Sequence, residues 1–212
     1  MEILRQLSES LKKGEAERAA ELTRAAIDGG LSPRAILDEG LIAGMTAVGE
    51  EFKAHEIFLP DVLLAARAMY AGMDLLKPLL IKEGIPTMGK AVLGTVQGDL
   101  HDIGKNLVGI MLKGAGFEVI DLGKDVAPAM FIEAALREKA DVIGMSALLT
   151  TTMSVMKQVV ELAKERGFYG KIRIIVGGAP LTDAYAREIG ADAYCYDAMK
   201  AVDCVKGFVG GQ

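Results

Sequence analysis

The 212-residue sequence has no tryptophan, two cysteines and two histidines, and aromatic residues make up only 5% of it. Each scarcity excludes something. Cys195 and Cys204 lie close together near the end, with neither CxxC spacing nor the ladder of a disulfide framework, so they read as ordinary reduced thiols of a cytoplasmic protein. With His55 and His101 as its histidines, the chain builds no site that needs three. No apolar run reaches the roughly 18 residues of a membrane span, and Met1-Glu2-Ile3 does not open a signal peptide. Basic residues are no excess either, 24 against 29 acidic ones for a net charge of -5. No basic run or basic helix face marks a nucleic-acid surface. What is abundant is apolar side chain, 51% against 25% charged, which belongs to a globular, core-rich chain. Its length holds one large domain or two small ones.

The first 86 residues carry helical spacing alone. Segments 3–13 and 15–28 are amphipathic, the second closed by Gly29-Gly30. Ser32-Pro33 starts a third helix, a cap residue followed by proline at the first helical position. Along it Ile36, Leu37, Leu41, Met45, Val48 and Phe52 recur on one face; 53–58 breaks the pattern, and Pro60 opens a fourth helix. Four helices with short connections predict a four-helix bundle. The glycine-flanked segment 84–89 is the best linker, dividing a helical domain at 1–86 from a second at 87–212. Beyond it, strand-like runs at 91–96, 118–121, 142–146, 172–176 and 193–196 alternate with helical patterns. That alternation predicts a doubly wound α/β domain with a five-stranded parallel sheet, Rossmann-like or flavodoxin-like.

The first of these strands leads into Gly94-Thr95-Val96-Gln97-Gly98-Asp99-Leu100-His101-Asp102-Ile103-Gly104. Asp99 and His101 therefore sit at the carboxyl end of a strand, just before a helix, where open α/β sheets bind ligands. Alone, a histidine in such a loop is most often a cap or a surface residue. Asp99, two residues earlier, changes its chemistry. A carboxylate that takes one imidazole nitrogen leaves the other free for a metal, the arrangement usual behind metal-binding histidines. Gly94, Gly98 and Gly104 remove side chains, as close approach of something large to the backbone requires. The intervals are wrong for a dinucleotide fingerprint, and no GKS or GKT makes a P-loop. One histidine with Asp99 and Asp102 also lacks a fourth ligand for zinc. A metal already held by a macrocycle needs only one.

Asp99-Leu100-His101-Asp102-Ile103-Gly104 resembles the DxHxxG motif of cobalamin-binding proteins. Extended from Gly98 to Asn106, it looks like the version in methyltransferases such as the cobalamin module of methionine synthase. Ser146-Ala147-Leu148 after the third strand resembles that family's SxL, and Gly177-Gly178 after the fourth its GG. The resemblance implies a cobalamin or related cobamide as cofactor, with His101 replacing its benzimidazole as lower ligand to cobalt. Asp99 would be the hydrogen-bond partner of His101, and Thr152 would continue that relay. Ser146 and Thr150 would bond the corrin and its nucleotide tail, and Leu148, Gly177 and Gly178 would line the tail channel. Gly98, Asp102, Ile103 and Gly104 complete the binding motif. Residues 52–60 resemble the helical cap of these methyltransferases, where Phe52, Leu59, Val62 and Leu63 would shield the methyl–cobalt bond. Without the resemblance those four read as bundle core, the hydroxyls as helix caps, Gly177-Gly178 as an ordinary turn and His55 as a solvated helix end.

The likeness spans nearly the whole chain, with no barrel for a methyl donor and no adenosylmethionine-binding module. It implies a corrinoid methyl carrier, not catalytic alone, that serves a multi-component methyltransferase. Cobalt would accept the methyl group as Co(I) from a substrate-specific methyltransferase. Methyl-Co(III) would then meet a second methyltransferase that delivers to a folate or to coenzyme M, and a reductive activator would be a further partner. Two other readings stay open. A sensory module of a light-responsive regulator should carry a DNA-binding segment and a tryptophan lid. The small subunit of an adenosylcobalamin-dependent mutase would leave the helical cap unexplained. Methanol, methylamines, betaine and methoxylated aromatics all remain open as donors.

Overall fold

In the first helices, leucines recur where one face must be buried. The computed structural model describes residues 2–210. Helix α1 (Glu2–Lys12) buries Leu4, Leu7 and Leu11, and α2 (Ala16–Asp28) buries Ala19, Leu22, Thr23 and Ala26. Ser32 caps the next helix as expected, its hydroxyl accepting the Ala35 N–H at 3.2 Å. That helix runs through α3 (Pro33–Ala35) and α4 (Ala43–Lys53), but between them Ile36–Ile42 winds as a π-helix. Regular 3.6-residue spacing did not predict that insertion. Gly40, inside it, has no room for a side chain, because an added Cβ would lie 2.7 Å from Leu7 Cδ2. His55, exposed and at φ 60°, ends α4 in a left-handed turn closed by Glu56 N–H donating to the Glu51 carbonyl. Helix α5 (Leu59–Lys82) starts where Asp61 accepts the Phe58 N–H at 2.9 Å. Leu7, Leu11, Ile36, Leu41, Met45 and Leu76 are fully buried, each aliphatic side chain contributing about 1.5–3 kcal/mol.

The remaining elements alternate: β1 (Lys90–Thr95), α6 (Ile103–Gly114), β2 (Glu118–Asp121), α7 (Pro128–Glu138), β3 (Val142–Ser146), α8 (Met153–Glu165), β4 (Arg173–Gly177), α9 (Asp183–Ile189), β5 (Ala193–Tyr194) and α10 (Ala198–Val209). All five strands are parallel, in the order β2-β1-β3-β4-β5. This is the doubly wound, flavodoxin-like architecture, preceded by the helical bundle. Val92, Ile143 and Ile174 lie side by side on β1, β3 and β4, and the strands are apolar on both faces, as helices on each side demand. Helix α6 begins at Ile103, directly after the loop that carries Asp99 and His101. Strand β5 stops at Tyr194, because Asp197 turns the chain into α10 by accepting the Lys200 N–H at 2.6 Å.

The chain packs as two units, one of residues up to Pro86 with Gly114–Gly116, the other of Thr87–Lys113 with the residues from Phe117 on. In the second unit the winding reverses between β1 and β3. In open sheets of this order, ligands bind at the carboxyl ends of the strands beside that switch point. No described helix is long and apolar enough to cross a membrane.

Candidate functional site

Asp99 lies at that switch point, on the loop after β1, and its side chain is completely buried. Oδ1 accepts the His101 N–H at 3.0 Å and faces His101 Nδ1 at 2.7 Å. Oδ2 accepts the N–H groups of Leu148 and Leu149, at 2.7 and 3.1 Å, and the Thr152 hydroxyl at 3.1 Å. One carboxylate thus joins the loop after β1 to the loop after β3 across the switch point. Burial works against its charge, but the amides of His101, Leu148 and Leu149 and the imidazole outweigh burial. They hold the carboxyl far below the usual carboxylate range.

The loop after β1 closes on itself. The Asp99 side chain accepts the N–H two residues on, an Asx-type turn that brings the His101 ring back onto the same oxygen. An ionised Asp99 accepts only, so Nδ1 carries a proton, and in the neutral ring it is Nε2 that offers the lone pair. Nε2 has no hydrogen-bond partner among the described residues, and the His101 side chain is 53% exposed. Buried Thr95 fixes the backbone beneath, its hydroxyl donating to the His101 carbonyl at 3.0 Å. Among the described residues no group of three or more His, Cys, Asp or Glu side chains gathers to hold a bare ion. The arrangement offers one oriented nitrogen donor.

The other predicted residues fall into place unevenly. Thr152 is buried, and its one proton is shared between Asp99 Oδ2 and the Leu149 carbonyl at 2.9 Å. Thr152→Val is therefore expected to cost about 1 kcal/mol in urea unfolding, with Thr152→Ser close to the parent. Leu148 contributes its amide, while its side chain is largely exposed. Leu149, which no motif singled out, contributes another amide, and side-chain type carries no signal for that. Ser146 gives its carbonyl to the Val96 N–H, and Thr150 stays exposed on the turn, outside the Asp99 network. Asp102 is half-buried and its carbonyl opens α6, accepting the Asn106 N–H at 2.8 Å. Ile103 and Gly104 stand exposed in the first turn of that helix.

The glycines have separate reasons. Gly94 is packed, with an added Cβ 2.6 Å from the Phe131 ring, so it makes room for the core and not for a ligand. Gly98 sits at φ 85°, a turn requirement. At Gly104 a Cβ would meet nothing within 4 Å. At Gly178, with φ 140°, a Cβ would fall 1.8 Å from the Ala147 carbonyl oxygen, and at Gly177 it would come 3.0 Å from that of Cys195. In the helical unit Phe52 and Leu59 are half-buried, Val62 is buried and Leu63 is 48% exposed.

Sequence reasoning also missed Lys105 and Asp125. Lys105 is only 5% exposed, and its ammonium donates to Asp121 at 2.5 Å and to Asn106 Oδ1 at 2.8 Å. Burial disfavours charge on Asp121, but the Lys105 ammonium and the Gly123 amide outweigh it and keep that carboxyl low. Asp125 accepts the Gly98 N–H at 2.7 Å. A Gly-x-Asp sequence directly after β2 was the available sign of a structured turn. Cys195 is buried and Cys204 half-buried, both free, and burial with Cys204 beside it pushes the Cys195 thiol up, away from nucleophilic use.

The B12 binding domain family matches residues 89–203, and a second family, also described as a B12 binding domain, matches residues 3–77. A trimethylamine corrinoid protein of Methanosarcina acetivorans is 43% identical over 210 residues, covering 98% of this chain and 97% of that one. A dimethylamine corrinoid protein of Methanosarcina barkeri is 46% identical over 203 residues, covering 95% and 94%. Among solved structures, the methanol:cobalamin methyltransferase complex of Methanosarcina barkeri contains a chain that superposes with a TM-score of 0.90 at 31% identity. The match covers 100% of this chain and 81% of that one.

Proposed function

The chain belongs to the B12 binding domain family, and on that premise we propose that it is a corrinoid methyl carrier that docks a cobamide on His101. The observation that carries this is a half-exposed imidazole whose Nδ1 is tied to a buried carboxylate and whose Nε2 is unpartnered. A lone oriented nitrogen suits a metal that brings its other ligands with it. Gly104 fits the same group. Nothing in the protein lies within 4 Å of where a side chain would stand there, so the bare first turn of α6 leaves room for an approach from outside.

When bound, the cobamide supplies a cobalt that takes up and gives away a methyl group. Every other task falls to the protein. His101 Nε2 would hold the cobalt, while Asp99 fixes the tautomer and orientation of the ring, and Thr152 with the Leu148 and Leu149 amides fixes Asp99. Gly98, Asp102, Ile103 and Gly104 present the motif surface. Ser146, Thr150, Leu148, Gly177 and Gly178 take the corrin and its nucleotide tail. Phe52, Leu59, Val62 and Leu63, in a cap of residues 1–86 ahead of a cofactor domain of residues 87–212, would serve to exclude water from the bound group. The carrier meets a substrate-specific methyltransferase, in line with its likeness to the corrinoid proteins of trimethylamine and dimethylamine and to a chain of a methyltransferase complex. It then meets a second methyltransferase serving a folate or coenzyme M, and a reductive activator restores it. It works in the cytoplasm.

The test is an absorbance titration with hydroxocobalamin beside His101→Ala. Wild type should take up one corrinoid per chain with a histidine-ligated spectrum, and His101→Ala should shift it to the form without a lower base. A wild type that binds no corrinoid ends the proposal.

A further inference from the structure

Asp125 belongs to the loop after β2, yet its hydrogen bonds go to the loop after β1. Its Oδ1 accepts the Gly98 N–H at 2.7 Å, and its own N–H donates to the Asp99 carbonyl at 3.1 Å. One residue therefore grips both ends of the two-residue Gly98-Asp99 unit, immediately before His101. It does so from a left-handed backbone, φ 57°, which only a few residue types adopt without strain. Around this contact the two loops are laced together. Thr95 N–H donates to the Gly123 carbonyl at 2.9 Å, and Val126 N–H donates to the Thr95 carbonyl at 3.0 Å. Lys105 anchors the far side: its buried ammonium holds Asp121, whose Oδ1 also accepts the Gly123 N–H at 2.8 Å.

We propose that Asp125 is a positioning residue for His101, holding the Gly98-Asp99 backbone so that the imidazole is presented in one orientation. This rests on the corrinoid-binding reading of the site. The Asp99 carboxylate fixes the ring from the β3 side, and Asp125 fixes the backbone that carries Asp99 from the β2 side. Removing the second constraint lets the loop pivot about Gly98, a residue with no Cβ of its own to resist. The ring then spends less time where a cofactor metal needs it.

Two substitutions separate the carboxylate from the backbone strain. Asp125→Gly keeps the left-handed conformation at no cost but removes the acceptor, whereas Asp125→Asn keeps an acceptor oxygen and tolerates the same φ. In full-length protein reconstituted with hydroxocobalamin and reduced to the Co(II) state, the nitrogen splitting in the electron paramagnetic resonance spectrum reports lower ligation. Asp125→Gly should lower the ratio of histidine-ligated to unligated cobalt about tenfold, the scale of one charge-assisted hydrogen bond, with corrinoid stoichiometry kept. Asp125→Asn should restore most of it. In the cofactor-free protein, hydrogen exchange at the Gly98 amide should quicken about tenfold in Asp125→Gly and little in Asp125→Asn. If His101→Ala abolishes the splitting while Asp125→Gly leaves it intact, the positioning role is overturned and the cofactor site stands. If wild type binds no corrinoid, the functional reading fails instead, and equal Gly98 exchange in all three proteins would overturn the brace as well.

Discussion

Replacing Asp99 with alanine is expected to cost the α/β unit about 3–5 kcal/mol and, on the proposed function, to abolish histidine ligation of the corrinoid. The magnitude follows from what the carboxylate satisfies. Its removal leaves the amides of His101, Leu148 and Leu149 and the Thr152 hydroxyl facing a small apolar hole in a fully buried place. Each buried donor left without a partner costs about 1–3 kcal/mol, and a broken buried charged network about 3–5 kcal/mol. Urea unfolding measures the first effect, and the hydroxocobalamin spectrum measures the second. A loss below about 1 kcal/mol would mean that water takes over the carboxylate's bonds.

The same residue sets an acid limit. An unfolded aspartate titrates near about 3.9, and Asp99 in the folded protein titrates well below its usual range, despite burial, because amides and the imidazole favour its charge. The stabilisation tied to its ionisation is thus complete above the unfolded value. It is lost as pH falls from there through the folded value, because the unfolded chain binds the proton first. Asp99→Asn should show a shallower decline of stability below about pH 5, by at most about 1.4 kcal/mol per pH unit. Parallel curves for the two proteins would assign the acid sensitivity elsewhere, Asp121 being the next candidate because Lys105 holds its carboxyl low.

The architecture was legible because it depends on periodicity. Leucines at helical spacing gave the bundle, and apolar runs such as Ala91-Val92-Leu93 and Val142-Ile143 gave strands buried on both faces. The π-helix at Ile36–Ile42 was not legible, because one extra residue per turn leaves Leu37 and Leu41 still on a plausible face. In the site, Asp99 and His101 announced themselves by side-chain type and spacing, and Thr152 only through the family resemblance. Leu148 and Leu149 act through amides, which every residue but proline owns, and Asp125 and Lys105 act through partners on other loops. Contacts of that kind depend on the β2-β1-β3 order, which emerges only once the sheet is assembled.

Gly178→Ala is the second large effect, and it separates two explanations for the glycine pair. The resemblance assigns both glycines to the nucleotide-tail channel, where any side chain would block the cofactor. The backbone adds a cause of its own at Gly178. Its φ of 140° is one that side-chain-bearing residues rarely adopt, and an alanine Cβ would lie 1.8 Å from the Ala147 carbonyl oxygen. That oxygen belongs to the backbone beside the Leu148 amide on which Asp99 relies, so it has no flexible end to swing away. Gly178→Ala should therefore destabilise the cofactor-free protein by at least about 3 kcal/mol. Gly177→Ala, with its nearest contact at 3.0 Å from the Cys195 carbonyl and no positive φ, should cost about 1 kcal/mol. Thermal unfolding without corrinoid distinguishes the causes. If Gly178→Ala unfolds like the parent and only corrinoid uptake fails, the channel alone demands the glycine; if the cofactor-free protein is already weakened, the close approach of two loop backbones demands it first.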